Sequence, residues 1–185
     1  MARSCLPPPF EQPETTHRSH IFEEFMPPPH NAALESLRQL IGQKFDTSPS
    51  PFGRWLAPTV INVAEDSLSF GYEVRDDMCN PSGKLHGGVS AAIADDIIGT
   101  IAFCSGWAKT YATIYSTIEY FAPAERGQQI VASASIGEKS GRFLSADCRI
   151  CGEDGKLLIR ASSRLLNLSV QRRSLASTNQ TVPST

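Results

Sequence analysis

Between Gly87 and Cys104 the chain runs for eighteen residues with no proline and only two charges, Asp95 and Asp96. A segment that long and that apolar exceeds the usual strand and fits a helix covered by protein nearly all round. Such a helix needs something to wrap it, and the flanking sequence supplies strands. Residues 59–63 and 67–74 are rich in β-branched residues with period-two patterning around Glu65-Asp66, which predicts a hairpin. After the helix come four strand-like runs, 111–122, 128–137, 142–151 and 156–168. Gly127, Lys139-Ser140-Gly141 and Gly152-Glu153-Asp154-Gly155 separate them, and short glycine turns of this kind join antiparallel neighbours. Two strands, one apolar helix and four strands predict an α+β fold in which a curved antiparallel sheet of about six strands wraps one long central helix. One sheet around one helix leaves a sheet edge short of cover, so a symmetric second copy is expected.

The flanks read differently. Seven of the thirteen prolines lie in residues 1–29, including Pro7-Pro8-Pro9 and Pro27-Pro28-Pro29, so an extended, disordered leader is expected there. Asn31 is a plausible helix cap, and Leu34, Leu37, Ile41 and Phe45 recur at steps of three and four before a Ser/Pro breaker at 48–51. That spacing predicts a short amphipathic helix and a linker over 30–54. The main domain then spans 55–170, and a Ser/Thr/Asn/Gln-rich tail at 171–185 is expected to be disordered.

Charge and cysteine usage narrow the function. A formal net charge of −2 without a long Lys/Arg run gives a polyanion nothing to follow, which disfavours nucleic acid. Five cysteines form no paired framework, the N-terminus lacks an apolar signal run, and Glu11, Glu14, Glu23 and Glu24 are out of place in a transit peptide. A cytoplasmic chain with free thiols is therefore expected, with no stretch of about 18 consecutive apolar residues to span a membrane. Cys148 and Cys151 have a metal-like spacing but lie on a predicted strand, where positions three apart face opposite ways; no metal and no cofactor is expected.

Asp95-Asp96 is the anomaly, because a carboxylate among Ala92, Ile93, Ile97, Ile98 and Ile101 is expensive to bury unpaired. Adjacent helical residues are turned by about 100°, so one can reach a site while the other reaches solvent or a subunit contact. Just upstream stand Asn80, His86, Gly87 and Gly88. Paired glycines opening a helix let backbone N–H groups approach a ligand, and the partial positive charge of a helix start can hold a developing oxyanion.

The string Asn80, His86-Gly87-Gly88, Asp95, then Thr113 on the next strand and Pro123 after it, closely resembles the PaaI-type hotdog thioesterases over residues from about 55 to 168. The resemblance implies hydrolysis of acyl-CoA or aryl-CoA thioesters by a hotdog-fold homodimer or homotetramer. It implies that the Gly87 N–H and the Asn80 amide hold the thioester carbonyl. Asp95 of the facing subunit would act as general base or as nucleophile, and Thr113 would help to place the water. His86 would act directly, cap the helix or order the loop, Gly88 would line the substrate site, and Asp96 is a reserve candidate for the base. Gly141 and Arg142 follow a turn where the family often admits the nucleotide; Lys139, Arg160 and Arg164 are further candidates for its phosphates. Two other readings stay open: a hotdog hydratase or dehydratase, and a module that binds acyl-CoA without cleaving it. Asp95 argues against the second.

Overall fold

Six strands form one antiparallel sheet whose spatial order departs from chain order at a single place. In the computed structural model, which describes residues 30–107 and 110–169, the strands are β1 (Thr59–Val63), β2 (Ser67–Glu73), β3 (Tyr111–Tyr120), β4 (Gln129–Ser140), β5 (Phe143–Gly152) and β6 (Leu157–Asn167). They lie in the order β1-β2-β4-β5-β6-β3, so β3 is carried past three strands to the far edge. The helices are α1 (His30–Arg38), α2 (Pro51–Leu56) and α3 (Gly87–Cys104), with a 3₁₀ turn at Asp76–Met78. The predicted leader and tail lie outside the described residues.

The eighteen-residue apolar segment forms α3 with the expected bounds. By length and composition alone it would suffice to cross a bilayer, but here it is the core helix, with Ile93, Ile97, Ile98 and Ile101 fully buried. Buried positions alternate along the strands facing it: Ile130, Ala132 and Ala134 on β4, then Leu144, Ala146, Cys148 and Ile150 on β5. Several are alanine, so the helix lies close to the sheet. Burial pushes the Cys148 thiol up to about 12, the thiol of a core cysteine held neutral.

The cover of α3 is incomplete in one chain. Gly88 and Asp95 are exposed, and β3 loses the alternation, with most of its residues open to solvent. Ile114, Tyr115, Tyr120 and Phe121 are large exposed hydrophobics along that edge. An edge strand of this kind presents unpaired backbone groups and apolar side chains together.

The N-terminal segment departs from the sequence expectation. α1 ends at Arg38, so Asn31 lies within it, and Ile41 and Phe45 do not continue it. The Gly42 N–H donates to Val60 O at 2.8 Å, and Ile41 pairs with Val60, which turns the chain into bridges against β1. The Ser/Pro sequence read as a breaker instead starts α2. Ser50 Oγ accepts from the Gly53 N–H at 3.0 Å and Pro51 occupies the first turn, both ordinary helix-start chemistry.

Candidate active site

The helix start is built by side chains that satisfy one orphan donor and leave another. His86 is the cap residue of α3, and its Nδ1 accepts from the Gly88 N–H at 3.0 Å, so the ring is held as an acceptor on that nitrogen. His86 O accepts from the Ser90 N–H. The first helical residue cannot bond within the helix, and none of these bonds uses the Gly87 N–H. Asn80 Oδ1 accepts from the backbone N–H groups of Ser82 and Lys84, at 2.9 and 3.2 Å, which fixes the side-chain amide and leaves Nδ2 to donate elsewhere. Asn80 and Gly87 line one cleft of about 370 Å³ together with Tyr120, Phe121 and Pro123. The nearest atoms to a Cβ added at Gly87 belong to the Tyr120 phenol, from 3.6 Å, ordinary contact. The protein itself therefore does not require glycine at that position.

Two turns along α3, Thr113 Oγ1 donates to Asp95 Oδ1 at 2.9 Å. The register of β3 on β6 shifts between Thr113 and Tyr115, so the irregularity falls at Ile114, immediately beside this contact. Tyr111 flanks it, donating its hydroxyl to Gly99 O at 2.6 Å. Desolvation holds that phenol well above its ordinary range, with the nearby Cys104, Asp95 and Asp96 adding to the shift.

The two aspartates part company as the helical turn demands. Asp95 is exposed at the rim, whereas Asp96 is half-buried beneath α2. A Cβ on Gly53 would stand 3.1 Å from Asp96 Oδ1 and 2.8 Å from Ser48 Oγ, so only glycine lets the α2 backbone lie this close. Burial, with the Asp95 charge beside it, raises the Asp96 carboxyl to about 6. Desolvation within one chain thus falls on Asp96. Below it, the Tyr72 hydroxyl is fully buried and meets no hydrogen-bond partner among the described residues.

Asp95, Asp96 and Thr113 line a second cleft, of about 640 Å³, with α1 and the 45–50 segment as its opposite wall. Asp95 and Gly87 are eight residues apart on one helix, about 12 Å along its axis. The two groups that the motif joins therefore open onto different clefts of the same chain.

The sequence of residues 82–159 matches the family model described as "Thioesterase superfamily". Acyl-coenzyme A thioesterase 13 of Homo sapiens is 30% identical over 112 residues, which cover 60% of this chain and 78% of that protein. The chain belongs to the thioesterase superfamily. A mutant of phenylacetic acid degradation protein PaaI from Thermus thermophilus superposes with a TM-score of 0.59 at 25% identity, covering 64% of this chain and all of that one. The E. coli PaaI protein shares the fold at 16% identity, with a TM-score of 0.60 over 75% of this chain and 95% of its own. The superfamily's hotdog sheet around one helix is thus the architecture of this thioester hydrolase, and α1 and α2 precede the matched residues.

The remaining residues singled out in this thioesterase have partners of their own. Gly141, at φ +56, turns the β4–β5 hairpin, and Arg142 next to it donates Nε and Nη2 to Asn167 O at 3.4 and 3.3 Å. Lys139 pairs with Asp66, Arg160 with Glu119, and Arg164 stacks over Phe143 at 4.5 Å. Sequence reasoning missed the bond from the Tyr120 hydroxyl to Gly87 O, 2.9 Å, which ties the end of β3 to the helix start. Nothing at residue 120 signals a partner 33 positions away. It also missed that α2 covers Asp96, although the Ser50-Pro51 pair was the signal for that helix.

Proposed function

We propose that this thioester hydrolase cleaves acyl-CoA or aryl-CoA thioesters in a site assembled from two copies of the chain, with Asp95 of one copy facing Gly87 and Asn80 of the other. Its similarity to acyl-coenzyme A thioesterase 13 supports the substrate class. The Asp95–Thr113 contact carries the assignment of the base, and the exposed apolar β3 edge supports the second copy.

Antiparallel pairing of two β3 edges about a two-fold axis near the strand's middle brings the Thr113 end of one copy to the Tyr120 end of the other. Tyr120 is bonded to Gly87, so the oxyanion donors travel with that end. The span of about 12 Å that separates the parts within one chain is then bridged across the seam.

In this reading the carbonyl oxygen accepts from the Gly87 N–H and from Asn80 Nδ2, at a helix start whose dipole favours developing negative charge. Thr113 occupies Asp95 Oδ1, which leaves Oδ2 to take a proton from water. The resulting hydroxide attacks the carbonyl carbon, the oxyanion is held by the two donors, and collapse expels the CoA thiolate. Hydrolysis by this route needs a base and an oxyanion site, and His86 serves by capping the helix that presents Gly87. Gly88 keeps that cap close. Gly141 and Arg142 meet the nucleotide end through the guanidinium N–H groups that Asn167 does not use.

A second reading makes Asp96 the base, since its carboxyl is raised into the range where bases work. Thiol release from short, long and aromatic acyl-CoAs by the native chain, Asp95→Ala and Asp96→Ala separates the two. The Asp95 reading expects a loss of about 10²-fold or more for Asp95→Ala alone. Retained hydrolysis by Asp95→Ala with loss in Asp96→Ala transfers the role, and no hydrolysis of any thioester by the native chain rejects the function.

A further inference from the structure

The 640 Å³ cleft beside Asp95 has two unlike walls. One is family sequence: Asp95, Asp96, Gly99 and Phe103 of α3, with Tyr111 and Thr113 of β3. The other comes from residues 33–50, ahead of the family match: Ala33, Ser36, Leu37 and Leu40 on or after α1, then Phe45 and Thr47 through Ser50. We infer that this cleft is the chamber for the acyl group and that the 33–50 segment sets the length of acyl chain it accepts. The inference rests on the function proposed above and adds the specificity element.

Three observations carry it. The cleft opens at the Asp95–Thr113 pair, where the carbonyl must be attacked, and its size falls in the range of about 300–1,000 Å³ that encloses a small ligand. Its interior is apolar where α1 faces α3, through Leu37, Leu40, Phe45 and Phe103. Charge decides which end of the substrate enters: among the described residues, two carboxylates and no lysine or arginine line it, so the phosphates of the nucleotide are repelled while a hydrocarbon is not. The wall is fixed in place by Gly42 and Phe45, whose N–H groups donate to Val60 O and Pro58 O, each at 2.8 Å.

Ser36 and Thr47 are exposed wall residues, so tryptophan there narrows the chamber without disturbing the core. The test compares the native protein with Ser36→Trp and Thr47→Trp in two ways. The first is kcat/KM over saturated acyl-CoAs from acetyl to palmitoyl. The second is binding of S-alkyl-CoA thioethers of the same lengths, which cannot be hydrolysed and report on the chamber whatever the activity. Each methylene buried in the native chamber tightens binding by about fourfold until the chamber is full. The expected result is that both variants lose about tenfold or more for the longest chains and change less than about twofold for the two-carbon ligand. Equal loss at every length, or no loss at any, overturns the inference. Native binding that rises with chain length in a protein that cleaves nothing would sustain the chamber and reject only the hydrolysis.

Discussion

Thr113 Oγ1 sits 2.9 Å from Asp95 Oδ1 and donates to it, so the only hydroxyl that reaches this exposed carboxylate comes from the edge strand beside α3, among the described residues. The pair spans two elements, and the irregularity at Ile114 lies one residue away. In the proposed mechanism, holding one carboxylate oxygen in a fixed direction leaves the other to act on the attacking water.

Thr113→Ala is therefore expected to lower kcat by about tenfold or more, with KM changed far less, because it loosens the base without touching the acyl chamber wall opposite. Thr113→Ser retains the hydroxyl and is expected to recover most of the rate. Steady-state kinetics on both variants check this; equal damage by Ser and Ala would show that the methyl group matters, not the hydrogen bond.

Gly87→Ala separates fold from chemistry. The added Cβ meets the Tyr120 ring at 3.6 Å, so the melting temperature is expected to move little. If the Gly87 N–H holds the carbonyl as proposed, the same methyl group crowds its approach, and kcat is expected to fall by about 10²-fold, the usual cost of losing an oxyanion donor. A variant that is unstable but catalytically normal per folded molecule would reverse the assignment.

Asp96 gives a pH signature. Its folded carboxyl is raised to about 6 from 3.8, so between those values the folded state binds the extra proton. Stability is lowered as pH rises through that window, and at neutral pH the ionised form costs roughly 2–3 kcal/mol. Asp96→Asn, which carries no charge, is expected to melt higher than the native chain at about pH 7.5 and to lose that difference near about pH 4. Thermal melts across this range measure it, and parallel curves for the two proteins would contradict it.

The Tyr72 hydroxyl is buried without a partner among the described residues. Leaving such a group unsatisfied costs about 1–3 kcal/mol, so Tyr72→Phe is expected to be neutral or to stabilise by about 1 kcal/mol in urea unfolding. Marked destabilisation would mean that the hydroxyl has a bridging water or another partner that supports it.

Most of the fold was legible because its signals are local. An apolar run too long for a strand predicts α3 residue for residue, and the glycine turns separate β4, β5 and β6 close to their observed ends. The crossing of β3 to the sheet edge was not legible, since pairing between Tyr111–Tyr120 and Leu157–Asn167 depends on contacts roughly 40 to 55 residues apart in sequence. Within one chain Asn80 shares a cleft with Gly87 and Thr113 bonds Asp95, whereas the motif's spacing alone gives neither contact. Which aspartate is desolvated was illegible, because it is decided by Gly53 of a helix whose Ser-Pro start resembles a breaker.

The central claim is that Asp95 serves a carbonyl held by another copy's Gly87 and Asn80, and subunit mixing tests it most directly. Asp95→Asn and Asn80→Ala proteins, each nearly inactive alone, are unfolded together, refolded as mixed dimers and assayed for thiol release. Half of randomly formed pairs are mixed and one of their two sites is whole, so roughly a quarter of native activity is expected to return. A mixture that forms mixed dimers by native mass spectrometry yet stays as inactive as either parent would contradict the shared site.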